Sequence, residues 1–399
     1  MTPFLGLILI LLVVFIGTRF YDRNTVLRKS LFSGIIISGI PYILFGVLLG
    51  PRIFNFLSPE IINSLKPLIS LALGWVGLLL GIQFRWRNIR RFPVNYFLFT
   101  SLQSLISFFI IFLILFGALW YLSPANFTNR LEAAIVLAAI GSITAPLTLA
   151  RIIIEHKAKG RLTHFLQFIS SIDDVWGITI IGIAMAIFHP YKNGIVDGVW
   201  QWILLSLVLS ISLGFLFRYL LQVRFNQQEI FLLVLGLVIF TSGIGFYLKL
   251  SPIFLNMIVG MTLAQFRRES EKVIRVILMA EKPIYLLLLV FAGSLWNYQF
   301  LTEILLIIIF IIGRFLGKYA GGWLSAKKID CAFSVPTDIG KALLSFGGTS
   351  LAIAFNFQLF FGGSTGDFLM SATIFGVFLF DEFTAIHAVK ILKRQGEIQ

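Results

Sequence analysis

Long apolar runs separated by short polar stretches organise this chain from one end to the other. About 20 consecutive apolar residues are enough to cross a bilayer as a helix. Thirteen runs read as such segments: 3–20, 31–50, 64–84, 96–121, 131–154, 163–188, 198–222, 228–248, 251–266, 281–298, 302–326, 339–357 and 369–391. Segments nine and ten are short for a full crossing. The pattern predicts an all-α membrane protein of about 13 transmembrane helices.

Composition agrees and narrows the choice. Of 399 residues, 58% are hydrophobic and 13% charged, with 42 Phe and a mean hydropathy of +0.94. A soluble core does not have that balance. The net charge of +14 raises the question of nucleic acid. The placement of the basic residues answers it. Of the 32 Lys and Arg residues, 25 fall in odd-numbered loops or after segment thirteen, and 5 in even-numbered loops. Arg314 and Lys318 remain inside a segment. This is the positive-inside pattern of a membrane protein, so no nucleic-acid partner is expected. It places the N-terminus outside and the C-terminus in the cytoplasm, as an odd number of crossings requires. The first segment reads as an anchor, because Met1-Thr2-Pro3 has no basic residue and the positive charge follows the apolar run. The single cysteine, Cys331, excludes an intrachain disulfide and a multi-cysteine metal site. The four histidines lack ligand spacing. No resident cofactor is expected.

No Pro/Gly/Ser-rich linker divides the chain, so residues 1–399 read as one membrane domain. The longest cytoplasmic stretch, Arg267 to Lys282, reads as a solvated amphipathic connector. An inverted repeat relates approximately 1–190 to 226–393. Segment five then corresponds to segment twelve, and segment six to thirteen. Segment five holds Gly141-Ser142-Ile143-Thr144-Ala145-Pro146, and segment twelve holds Gly347-Gly348-Thr349-Ser350. Proline removes a helix hydrogen bond and glycine weakens a helix. Interrupted helices at corresponding repeat positions point to the central site of a transporter. The breaks at Pro146 and at Gly347 and Gly348 are therefore expected near that site.

Asp173 and Asp174 are the chemical centre of the pattern. They sit in the middle of segment six, where a charge costs about 2.5–3.5 kcal/mol on insertion scales. Neighbouring carboxylates in a medium of low dielectric cannot easily both stay ionised, so such a pair can exchange protons for small cations. Arg314 lies at similar depth in segment eleven, and an unpaired guanidinium there is costly. Asp173 or Asp174 is the expected partner. One arginine cannot neutralise both acids. Lys318 is one turn from Arg314 and either snorkels to the interface or supplies an amine that can release a proton. Ser142 and Thr144 offer hydroxyls beside the first break, and unwound carbonyls suit Na⁺ or Li⁺. Asp381 and Glu382, in segment thirteen, read as interfacial or salt-bridged. The glycine pairs around Gly313, Gly317, Gly321 and Gly322 read as close-packing positions.

With these residues assembled, the chain resembles the cation:proton antiporter superfamily, especially bacterial sodium/proton antiporters of the Asp-Asp type. Gly141 to Ala150 resembles the unwound helix of that family. Ser171-Ile172-Asp173-Asp174-Val175-Trp176-Gly177 resembles its ion-binding helix. Leu250 to Ala264 resembles its Leu-Ser-Pro segment, and Gly313 to Lys318 the helix that bears its base. The resemblance implies crossed discontinuous helices, a core and a dimerisation domain, a homodimer, and elevator-like alternation. It implies that Asp174 carries cation and proton, that Asp173 pairs with Arg314, and that Thr144 sits at the crossing. Two departures stand out: Ala145 replaces a frequent acid, and Arg314 stands where several electrogenic members have lysine.

The expected function is secondary active antiport in the cell (inner) membrane. A monovalent cation, Na⁺ or Li⁺, and protons compete for Asp174 and Asp173. Rival readings are K⁺/H⁺ antiport within the same superfamily and transport of another solute. A third rival, an intramembrane aspartyl protease, is disfavoured, because Ser364-Thr365-Gly366-Asp367 lacks the first glycine of the Gly-x-Gly-Asp context and reads as a loop. The chain is not expected to be an enzyme.

Overall fold

The computed structural model describes Gly6, Ile8, Ile10, Leu12 and Phe15, and residues 39–123, 125–190, 198–223, 225–296 and 301–398. Most of segment one and the start of segment two lie outside the described residues. The described chain is helical throughout. Its helices are α1 (Ile40–Leu49), α2 (Pro59–Ser64), α3 (Lys66–Ile82), α4 (Trp86–Ile89), α5 (Val94–Leu122), α6 (Phe127–Ser142), α7 (Pro146–Glu155) and α8 (Arg161–Ile187). There follow α9 (Val199–Leu221), α10 (Gln227–Tyr247), α11 (Pro252–Ala264), α12 (Arg267–Leu295), α13 (Leu301–Lys328), a 3₁₀ turn at Ile339–Leu343, α14 (Gly348–Phe361) and α15 (Gly363–Arg394). Six of them, α5, α8, α9, α10, α15 and α13 from Glu303, are long and apolar enough to cross a membrane. This is a multi-pass membrane protein.

Segments five and twelve are both interrupted, as the proline and glycines predict. Segment five becomes α6 and α7, with Pro146 at the first position of α7, where its missing N–H costs nothing. Segment twelve becomes the 3₁₀ turn and α14.

The stretch Arg267–Lys282 is not a connector. It forms the first half of α12, a continuous 29-residue helix with Pro283 inside it. Ser270, Val273, Val276 and Ile277 recur at helical spacing and are buried. The charged residues occupy the other face, where Arg267 meets Glu271 at 3.0 Å. The mixture of charge and apolar residues was an amphipathic helix with a core-facing stripe.

The chain divides into two compact units. One comprises residues 1–91, 182–296 and 355–360. Its core gathers Trp75 and Leu78 from α3, Phe217 from α9, Leu237 from α10, Val259 from α11 and Val276 from α12. Helices α3 and α11 approach closely: a Cβ added at Gly81 would stand 2.0 Å from the Met257 carbonyl oxygen. The other unit comprises residues 92–181, 297–354 and 361–399, and it holds both interrupted segments. There α13 lies against α5 on a glycine face, and a Cβ at Gly321 would meet the Gln103 carbonyl at 2.6 Å. A cluster of Phe165, Leu149, Leu343, Ile391 and Cys331 joins α8, α7, the 3₁₀ turn and α15.

Burial in that cluster pushes the Cys331 thiol up to about 11, with Asp330 adding to the effect. Only the thiolate reacts, and at pH 7 such a thiol is ionised in about one molecule in ten thousand. The folded protein should resist maleimide at pH 7 and take up one equivalent once unfolded, as read by mass spectrometry. Rapid labelling of the folded protein would place Cys331 outside the core.

Candidate functional site

The two breaks face each other within one unit. The backbone N–H of Ala145 donates to the Ser345 carbonyl at 3.1 Å, and the Ser345 hydroxyl donates to the Ala145 carbonyl at 3.1 Å. Gly347 permits the approach, since a Cβ there would lie 2.9 Å from that of Ala145. Each break leaves carbonyls without a helical partner. Arg314, on α13, satisfies four of them. Its guanidinium donates to Ile143 at 3.0 Å, to Leu344 at 3.0 Å, to Ser345 at 2.9 Å and to Gly141. The Phe346 ring lies 4.0 Å from its central carbon. The planar fork of donors makes arginine fit for this task, where a lysine would offer one point charge.

Arg314 therefore does not pair with Asp173 or Asp174. Lys318 takes that role. One turn along α13 it shares a face with Arg314, and it is fully buried. Its Nζ lies 2.9 Å from Asp173 Oδ2 and 2.8 Å from Thr144 Oγ1. Both the pairing of Asp173 with Arg314 and the snorkelling of Lys318 are corrected here. The reason is geometric: the freed carbonyls of two breaks lie around the guanidinium, and they occupy it.

Asp173 is saturated. Besides Lys318 it receives the Ser104 hydroxyl of α5 at Oδ1, and Thr144 Oγ1 stands 2.8 Å from Oδ2. Thr144 Oγ1 also lies 3.1 Å from the Leu343 carbonyl, so this hydroxyl ties the first break to the turn before the second. Asp174 is different. Its Oδ2 accepts from Thr349, on the first turn of α14, at 3.2 Å. Its Oδ1 is buried with no hydrogen-bond partner among the described residues. Asp173, Asp174, Arg314 and Lys318 are all 0% exposed.

Of the residues expected from sequence, Asp173, Asp174, Thr144, Lys318 and Arg314 come together, with Pro146, Gly347 and Gly348 shaping the breaks. Ser142 does not join them. Its hydroxyl turns back on its own helix, to the Ala139 carbonyl at 2.8 Å. Sequence reasoning missed Ser104 and Thr349 as site residues. Ser104 belongs to a polar row, Gln103, Ser104 and Ser107, in the otherwise apolar α5, and that row was a usable signal. Asp381, expected to be interfacial or salt-bridged, is buried near the middle of α15 and accepts from the Thr148 hydroxyl of α7 at 2.9 Å.

The family model for transmembrane sodium/hydrogen exchangers matches residues 36–390. This chain belongs to the sodium/hydrogen exchanger family. The exchanger's fold is similar to two structures of the sodium proton antiporter MjNhaP1 from Methanocaldococcus jannaschii. The structure at pH 8 has a TM-score of 0.63 and 17% identity, covering 97% of this chain and 98% of that one. One from an electron-microscopy map has a TM-score of 0.62 and 17% identity, covering 100% of each chain. No curated protein sequence matches the exchanger.

If Lys318 is the partner of Asp173, removing it strands a buried carboxylate, a loss of about 3–5 kcal/mol. Lys318→Met should lower the thermal unfolding temperature of the purified exchanger, and Lys318→Met with Asp173→Asn should recover most of the loss. Equal destabilisation by the single and double variants would contradict the pairing.

Proposed function

We propose that the exchanger moves Na⁺ or Li⁺ against protons by alternating access, with Asp174 as the group for which the two compete. One observation supports this above the others: Asp174 is a buried carboxylate with an oxygen that has no hydrogen-bond partner among the described residues. A buried anion without a partner is costly. Binding a proton neutralises it. Binding a small hard cation does the same, with the Thr349 hydroxyl as a second oxygen. The two states are mutually exclusive at one oxygen, and that is the requirement for coupled exchange.

Asp173 holds a different place in the proposal. Its charge is met by Lys318, and its oxygens by Ser104 and Thr144. The pair is neutral as a whole, so it leaves Asp174 free to change charge. Lysine can release its proton where arginine does not, so the second proton-active group of the site is Lys318 and not Arg314. No resident cofactor takes part. We place the exchanger in the cell (inner) membrane as a homodimer with its C-terminus in the cytoplasm, on the family resemblance and on the distribution of basic residues.

The test is cation-induced pH change in proteoliposomes, with Na⁺, Li⁺ and K⁺ compared. Wild type should respond to Na⁺ or Li⁺, and Asp174→Asn should lose the response at least about a hundredfold. A response to K⁺ alone would reassign the cargo. Unimpaired exchange by Asp174→Asn would end the carrier assignment. Competition also fixes a sign for pH. Protons occupy the carboxylate as pH falls, so the apparent KM for Na⁺ should rise towards acid pH by up to about tenfold per unit. A KM independent of pH would contradict competition at one group.

A further inference from the structure

Two half-helices begin at the crossing, and each starts with a threonine bonded to a buried or central carboxylate. Thr349 on α14 meets Asp174 of α8. Thr148 on α7 meets Asp381 of α15. In the repeat pairing read from the sequence, segment five corresponds to twelve and six to thirteen, so the two contacts are counterparts. Each joins the broken helix of one repeat to the sixth helix of the other.

The counterparts differ in what remains open. Asp174 keeps one oxygen without a hydrogen-bond partner among the described residues. Asp381 accepts from the Thr148 hydroxyl at 2.9 Å. The charges that act on it come from Arg151 of α7, from Glu382 on its own helix and from Arg314 across the crossing. Asp381 is thus anchored to the start of α7. Arg314 and Asp381 divide the work. The guanidinium takes the carbonyl ends of the interrupted helices, and the carboxyl oxygen takes the Thr148 hydroxyl that follows the first break. Phe346 and Phe380 pack against the guanidinium, their ring centres 4.0 and 5.2 Å from its central carbon.

We infer that Asp381 is a positioning residue for cation exchange. By holding Thr148 it fixes the start of α7, and through it the placement of Thr144 against Asp173 and Lys318. It carries no cation itself. The inference rests on the assignment of Asp174 as the carrier.

The experiment compares Na⁺/H⁺ exchange in proteoliposomes for Asp381→Ala, Asp381→Asn, Thr148→Val and Thr148→Ser, with thermal unfolding of each purified variant. Asp381→Ala and Thr148→Val should each raise the apparent KM for Na⁺ about tenfold and displace its pH dependence. Asp381→Asn and Thr148→Ser preserve the hydrogen bond and should stay within about twofold of wild type. The double variant Asp381→Ala with Thr148→Val should be no worse than Asp381→Ala alone. If Asp381→Ala does not fold, the two Thr148 variants decide the matter. A wild-type KM and pH profile in Thr148→Val would overturn the inference. So would Asp381→Asn as inactive as Asp381→Ala, because the charge itself would then be needed. Asp174→Asn assayed in the same vesicles tests the carrier assignment separately: its survival would undo that assignment, whatever the Asp381 variants do.

Discussion

A helix interrupted inside a membrane frees backbone groups that lipid cannot satisfy. This protein interrupts two helices at one point, so the cost is doubled and localised. The hydrogen bonds of Arg314 to Gly141, Ile143, Leu344 and Ser345 meet that cost. The rest of the site depends on them. They require a guanidinium at mid-membrane, they engage both its terminal nitrogens, and they leave Asp173 to pair with Lys318. The close packing of α13 on α5, on the glycine face of Gly317 and Gly321, sets the depth at which α13 delivers Arg314 and Lys318.

Charge then distributes itself by availability. Lys318 neutralises Asp173, and hydroxyls from α5 and the first break complete its shell. Asp174, next in the chain, points to a different set of neighbours, and among the described residues its hydrogen-bond donor is Thr349. Two adjacent residues thus differ in surroundings because a helix turns about 100° between them. Asp173 is paired with a lysine. Asp174 keeps one oxygen with no hydrogen-bond partner among the described residues. The family to which the chain belongs exchanges sodium for protons, and this asymmetry offers a physical basis for it.

Much of this was legible in the sequence, for definite reasons. Apolar runs reveal spans, because the membrane selects length and composition. Pro146 and the Gly347-Gly348 pair mark breaks, because backbone chemistry is local. Asp173, Asp174, Arg314 and Lys318 stand out, because charge at depth is rare. Pairing was not legible. Arg314 and Lys318 lie four residues apart on one face, and nothing local says which meets an acid and which meets carbonyls. The role of Ser104 depends on α5 packing against α8, a contact between residues 69 apart. Thr148 and Asp381 are 233 apart, and their contact arises from the crossing itself. The Arg267–Lys282 stretch misled for another reason: half its face is charged, and only its packing partners reveal the stripe of Val273, Val276 and Ile277.

The central claim is that a proton and a cation exclude each other at Asp174. The most direct measurement is proton release on adding Na⁺ to the detergent-solubilised, weakly buffered protein, away from any membrane or gradient. The account predicts stoichiometric release, saturating with Na⁺, in the pH range where Asp174 is protonated before the cation arrives, and none from Asp174→Asn. Saturable Na⁺ binding with no proton release at any pH would contradict it.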